Sequence, residues 1–217
     1  MTRTSFARIS VLGASLLALA SAGCGEFVRG SRSPSQVVVI ALEAASGSDP
    51  EDLGVPLSSD VVTNLTTPDP CSAATPCPTF FNDVGSVTMS LMLRDPGQPG
   101  LASTPSAINQ VTFSRYRVEY TRADGRNTPG VDVPYAFDGA VTFTVPTEGE
   151  VTAPFELVRH SAKLEAPLLG LRNRPGAPMS PVITTIATVT FFGRDQAGND
   201  VQASATIQVN FGDFADQ

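Results

Sequence analysis

Residues 182–211 read VITTIATVTFFGRDQAGNDVQASATIQVNF, and this stretch decides the fold. In its second half Val201, Ala203, Ala205, Ile207, Val209 and Phe211 are apolar, and every residue between them is polar. Successive side chains leave a pleated strand on opposite faces, so period two marks a strand with one buried face. The first half, residues 182–194, is rich in β-branched and aromatic side chains, which suit a half-buried pleated surface. Asp195, Gln196, Ala197, Gly198 and Asn199 separate the halves and have the composition of a tight turn. The stretch predicts an antiparallel hairpin, with residues 201–209 against 187–192 and their apolar set directed into a core.

The same signal recurs upstream. Val87, Met89, Leu91 and Leu93 alternate with Thr88, Ser90 and Met92, and Arg94-Asp95-Pro96-Gly97 ends the run. Tyr116, Val118 and Tyr120 alternate with Arg115, Arg117 and Glu119. Val111 and Phe113 fall on the opposite parity, which calls for a bulge near Ser114. Residues 37–42, 141–145 and 155–158 are further short strands, the last two bounded by Pro146 and Pro154. Residues 46–83 are rich in Ser, Asp, Pro and Thr, and a structureless loop of that length is unusual in a compact domain. A short strand over 60–65 is expected there, with the segment from Cys71 to Cys77 pinning the rest. Helical periodicity is confined to 161–171, where Pro167 interrupts it. Seven to nine short strands separated by turns predict an all-β chain, an antiparallel β-sandwich with a long loop after its first strand. Residues 36–217 are expected to form it as a single domain.

Residues 188–209, TVTFFGRDQAGNDVQASATIQV, resemble the last hairpin of bacterial immunoglobulin-like and fibronectin-III-like domains, whose shared feature is a D-x-A-G-N turn between two alternating strands. Residues 116–125, YRVEYTRADG, resemble the C strand of such domains. The resemblance implies an Ig-like sandwich. It implies no catalytic or ligand residues, because fold does not fix function.

The N-terminus carries an address. Arg3 and Arg8 precede an apolar run over residues 9–20, which is short of the roughly 20 residues needed to span a bilayer and matches a signal-peptide core. Ser21-Ala22-Gly23-Cys24 follows and resembles a bacterial lipobox, with Ser21 where that family usually has Leu. The resemblance implies that residues 1–23 are removed, that Cys24 is lipidated, and that the chain is held at a membrane by its N-terminal lipid. Ala18-Leu19-Ala20 offers ordinary signal-peptidase cleavage and a soluble secreted product as the alternative. Residues 24–35 read as the lipidated cysteine and a flexible tether. Glu26 stands where inner-membrane lipoproteins carry Asp, which by resemblance favours the outer membrane. Loss of Arg3 and Arg8, with no acid lost, takes the net charge from −7 to −9. An acidic body is repelled by an anionic membrane surface.

With Cys24 acylated, the other two of the three cysteines, Cys71 and Cys77, are expected to form a disulfide, which an exported location permits. Closing so short a loop contributes roughly 2 kcal/mol in the chain-entropy model.

Composition excludes several functions. One His and three Cys cannot build a multi-His or Cys-rich metal site. Lys163 is the only lysine and no phosphate-binding loop surrounds it. The acidic balance argues against nucleic acid. No cofactor and no catalytic residue is predicted, since His160 has no recognisable nucleophile or acid in reach of the sequence and no G-x-S-x-G occurs. Asp195, Asn199 and Asp200 carry oxygens of the kind calcium uses, but a tight turn selects the same residues. Arg115, Arg117 and Glu119 share one outward strand face, a stripe able to meet a carboxylate or phosphate or simply to be solvated. Tyr135 and Phe137 are a conceivable sugar platform in a chain without Trp. The expected function is therefore a non-enzymatic cell-envelope lipoprotein, a binding or structural module whose partner is an envelope protein or glycan. A secreted hydrolase with an unrecognised site, and a calcium- or glycan-binding module, are the alternatives.

Overall fold

The computed structural model describes residues 32–172 and 181–214. Cys24, the run before it and most of the tether lie outside the described residues. Along the chain the strands are β1 (Ser35–Ala45), β2 (Leu57–Asp60), β3 (Thr63–Leu65), β4 (Cys77–Thr79), β5 (Asp83–Leu93), β6 (Gly97–Gln98), β7 (Leu101–Ala102), β8 (Val111–Thr121), β9 (Phe137–Val145), β10 (Glu150–Val158), β11 (Ile183–Asp195) and β12 (Asp200–Gly212). One helical turn, α1 (His160–Lys163), and a 3-10 turn over Leu168–Leu171 follow β10, with Pro167 between them as the sequence required. The chain is all-β.

The hairpin read from residues 182–211 is present. β11 and β12 pair antiparallel with Ala187 opposite Ile207, Val189 opposite Ala205 and Phe191 opposite Ala203. Val201, Ala203, Ile207 and Val209 are buried on the expected face, and Ala205 is half-buried. β8 joins the other edge of β11, setting Val118 against Val189 and Tyr116 against Phe191. The expected bulge is there: against β11, Phe113 and Arg115 pair with the adjacent Gly193 and Phe192, which leaves Ser114 as an extra residue on β8. That extra residue switches parity, so Val111 and Phe113 before it and Tyr116, Val118 and Tyr120 after it all enter the core.

Eight strands form two main sheets, three in the order β1-β5-β10 and five in the order β2-β12-β11-β8-β9. The larger sheet curls into a half-barrel. It is mixed rather than antiparallel throughout, because β2 runs parallel to the end of β12, with Leu57 opposite Val209 and Asp60 opposite Gly212. Residues 46–56 carry the chain from the edge strand of one sheet to the edge of the other, where β2 lies beside β12.

The two sheets share one hydrophobic cluster. Val87, Met89 and Leu157 from the smaller sheet meet Phe113, Val118, Val189, Phe191 and Val209 from the larger. Phe191 is its hub, with ring centroids of Phe155 at 5.3 Å, Tyr116 at 6.0 Å and Phe143 at 6.1 Å. Two tyrosines on β8 also bond across to β10. Tyr120 donates to the Leu157 carbonyl at 2.5 Å, and the Glu156 amide donates to the Tyr116 hydroxyl at 3.2 Å. The Tyr116 ring lies so close over β9 that a Cβ at Gly139 would sit 2.2 Å from it, so this position admits only Gly.

The 46–83 region is not a bare loop. The strand expected over 60–65 is split: Asp60 ends β2, and β3 begins at Thr63 in a separate ribbon with β4. Val61 and Val62 are both buried, and the Val61 amide bonds the Gly212 carbonyl. The chain bends at Val61, which ends β2 before the ribbon begins. Cys71 and Cys77 are joined, with Cα atoms 5.4 Å apart, closing the far end of the ribbon.

The β11–β12 turn is organised by Asp195. Its carboxylate accepts from the amides of Ala197 and Asn199 at 3.0 and 2.9 Å and from the Asn199 side chain at 2.8 Å. Desolvation pushes the carboxyl up, but these bonds and one from Ser33 outweigh it and hold the group below the ordinary 3.8. A depressed folded pKa means stabilisation that is present above the unfolded value and lost as pH falls. Asp195→Asn is expected to cost about 1–2 kcal/mol at neutral pH. The cost should shrink as the wild type is titrated below about pH 4, where its own carboxylate is lost. Urea unfolding across pH checks this; a penalty independent of pH would mean the charge is not what holds the turn.

Candidate functional site

The sequence singled out the Arg115, Arg117 and Glu119 stripe, and the structure places all three on the outer face of the large sheet. There the two arginines meet Asp138 of β9. Arg115 reaches one of its oxygens at 2.8 Å and Arg117 the other at 2.9 Å, while Arg117 Nε also bonds Glu119 at 3.0 Å. Arg115 further stacks 4.0 Å over the Phe192 ring. The stripe is thus a cross-strand charge ladder whose guanidiniums already hold carboxylates. Exposed pairs of this kind contribute little to stability.

Asp195, Asn199 and Asp200 are not gathered round a common point. Asp195 holds its own turn, and Asp200 pairs with Arg194 at 2.8 Å. Among the described residues no three His, Cys, Asp or Glu side chains assemble in a way that could hold a metal ion. Tyr135 and Phe137 do not form one platform. Phe137 is buried beneath Arg159, whose guanidinium carbon lies 4.2 Å above the ring, whereas Tyr135 is exposed and lies over Gly130.

His160 opens α1. Its backbone amide donates to Asn82 Oδ1 at 2.6 Å, and its Nδ1 lies 2.8 Å from the same oxygen. An oxygen that already accepts the amide requires Nδ1 to be the protonated nitrogen. The partner is an amide, not the nucleophile or acid that a catalytic His needs.

The residues that sequence reasoning missed lie between the sheets and the 46–83 region. Asp83, the first residue of β5, and Lys163, the last of α1, form an ion pair at 2.7 Å with side-chain exposures of 0% and 1%. Asp83 Oδ1 also accepts the Gly47 amide at 2.9 Å, and its Oδ2 accepts the Ser59 hydroxyl at 2.5 Å. Burial pushes the Asp83 carboxyl up, against the opposing pull of Lys163, Ser59 and Gly47. A signal existed: the chain has 14 basic residues, and the one that is Lys stands in the apolar context of Ala162 and Leu164.

Above this pair lies a cleft of about 540 Å³. Ser46, Ser48 and Asp49 line it from the segment after β1, and Ser58, Asp60 and Thr63 from β2 and β3. Leu65 and Phe214 add apolar surface. A smaller cleft of about 150 Å³ adjoins it, sharing Ser46, Asp49 and Ser58 and adding Asp52. Among the described residues no Lys, Arg or His lines either one. The segment that walls them is fastened at its base, where Ala44 and Gly54 exchange backbone hydrogen bonds of 3.1 and 2.9 Å.

No protein-family model matches this chain, and no curated protein matches it. Among the described residues no helix is long and apolar enough to cross a membrane.

Proposed function

We propose that this chain is a non-enzymatic lipoprotein of the bacterial cell envelope. Cys24 carries the lipid, residues 25–35 are the tether, and the body is a single Ig-like sandwich that binds an envelope protein or glycan. The outer membrane is favoured over the inner. The observation that carries the binding reading is the cleft between the β1–β2 crossover and the β3–β4 ribbon. Its volume falls in the range of ligand sites, about 300–1,000 Å³. It sits on irregular segments held by a rigid two-sheet body, where such folds place recognition. Two sheets packed over a common core and the D-x-A-G-N hairpin support the Ig-like assignment.

The test is a scramble of residues 49–53, which keeps the Gly54 bridge at the base of the segment. The variant should melt within a few degrees of wild type and lose capture of the partner that wild type retains from intact envelopes. Equal capture by both proteins would exclude the cleft. Turnover of an ester, peptide or glycan panel by the purified protein, abolished by His160→Ala or by a carboxylate variant, would establish an enzyme instead.

A further inference from the structure

The cleft and the buried ion pair are one construction. Gly47, whose amide bonds Asp83, stands between the cleft residues Ser46 and Ser48. Ser59, whose hydroxyl bonds Asp83, stands between the cleft residues Ser58 and Asp60. One buried carboxylate therefore grips both walls from below, and Lys163 neutralises it. Gly47 is needed for this approach: a Cβ there would lie 2.2 Å from the Asn82 carbonyl oxygen. A buried ion pair is often no more stable than apolar residues of the same volume, so its presence calls for a positional reason.

The lining defines the ligand. Ser58, Thr66 and Thr67 offer hydroxyls, which both donate and accept; Ser46 and Ser48 already bond each other at 3.0 Å and Thr63 donates to Asp60, so Thr63 offers an acceptor only. Asp49 offers an acceptor, and Leu65 and Phe214 offer apolar contact. Among the described residues an anion finds no cation here. A metal ion finds no cluster of ligands among the described residues. Asp60 is already committed, accepting the Thr63 hydroxyl at 2.8 Å and the Phe214 amide at 3.1 Å. A ligand with many hydroxyls and apolar C–H faces matches every part of this surface.

We propose that the cleft binds a neutral saccharide and that the Asp83–Lys163 pair is the positioning element that holds its walls. The proposal rests on the binding reading above and names its ligand class. Hydroxyl pairs on a sugar ring meet Ser, Thr and Asp49, and a ring face meets Phe214 and Leu65.

The experiment uses the full chain purified from envelopes, with maltopentaose, cellopentaose and N-acetylated chitopentaose as probes and saturation-transfer NMR as readout. At least one sugar should receive saturation. Ser58→Ala combined with Thr63→Val, both at the cleft surface, should weaken that sugar about tenfold, which is about 1.4 kcal/mol. Ser59→Ala keeps the ion pair but frees one wall. It should weaken the sugar by a similar factor and narrow the affinity ratio among the three, a readout that simple loss of stability would not move. No transfer from folded protein to any of the three sugars overturns the proposal, as does transfer unchanged by the Ser58/Thr63 variant. Saturation of a poly-lysine peptide in place of the sugars overturns it in favour of a basic partner. If envelope capture still depends on residues 49–53 while no sugar binds, the ligand class is wrong and the binding reading stands. If both fail, the binding reading falls with it.

Discussion

Lys163→Met is expected to cost about 3–5 kcal/mol of unfolding free energy at neutral pH, a large part of a typical domain's total. The substitution keeps the volume and the apolar stem of the side chain and removes only the cation. Asp83 is then left in the core with the Ser59 hydroxyl and the Gly47 amide as its remaining partners. Burial already raises its folded carboxyl above 3.8 with Lys163 present, so without the cation the folded value rises further. A group whose folded pKa is raised contributes most stability when protonated in both states, and that stability is lost as pH rises through the folded value. The variant should therefore be more stable at about pH 4 than at about pH 8. A companion, Asp83→Leu with Lys163→Met, should recover most of the loss, since neither charge is then stranded. Urea unfolding of the two singles and the double closes the cycle. A single-variant loss below about 1 kcal/mol would mean that the pair is solvated and grips nothing.

The large sheet was legible because its strands keep one face buried. In β12 and in the second half of β8 the period of two is unbroken, and a change of parity at residues 113–116 announced the bulge. β1 was harder. Its burial alternates only at the start, and the pairing with β5 slips between Val39 and Ala41, leaving Ile40 52% exposed. A β-branched run on an edge strand gives no clue to such a slip. The parallel β2–β12 pair was invisible for another reason. Four residues, Leu-Ser-Ser-Asp, carry almost no periodic signal, and their direction depends on where the preceding crossover delivers them.

The site was less legible than the fold. Charged residues at regular spacing on a strand drew the eye to Arg115 and Arg117, yet Asp138, the residue that satisfies them, lies on another strand at a separation no local pattern encodes. Asp83 and Lys163 are 80 residues apart. Lys163 stands out as the only lysine, between Ala162 and Leu164, but nothing in the sequence names Asp83 as its partner. The cleft has no motif at all, because its walls come from a crossover, two short strands and Phe214 near the C-terminus. The disulfide was legible because Cys71 and Cys77 are close in sequence and the remaining cysteine has another expected role.

Cys24→Ser is expected to remove the protein from the membrane fraction altogether, or to leave it there only as uncleaved precursor. Each buried methylene of an acyl chain contributes about 0.8 kcal/mol to membrane partition, and two or more chains make release negligible where a single one would be marginal. The described residues contain no membrane-spanning helix, and a body of net negative charge is repelled by anionic lipid. Because the proposed anchor is hydrophobic, a lipidated wild type should stay with membranes through a high-salt wash, which strips a protein held by charge. Fractionation with N-terminal sequencing reads both outcomes. A variant that partitions like wild type, with Ser21 as its first residue, would show that cleavage follows Ala18-Leu19-Ala20 and that no lipid is attached. The cleft would then belong to a soluble secreted protein, and its ligand would be met in solution rather than at a membrane within reach of an 11-residue tether, about 36 Å when extended.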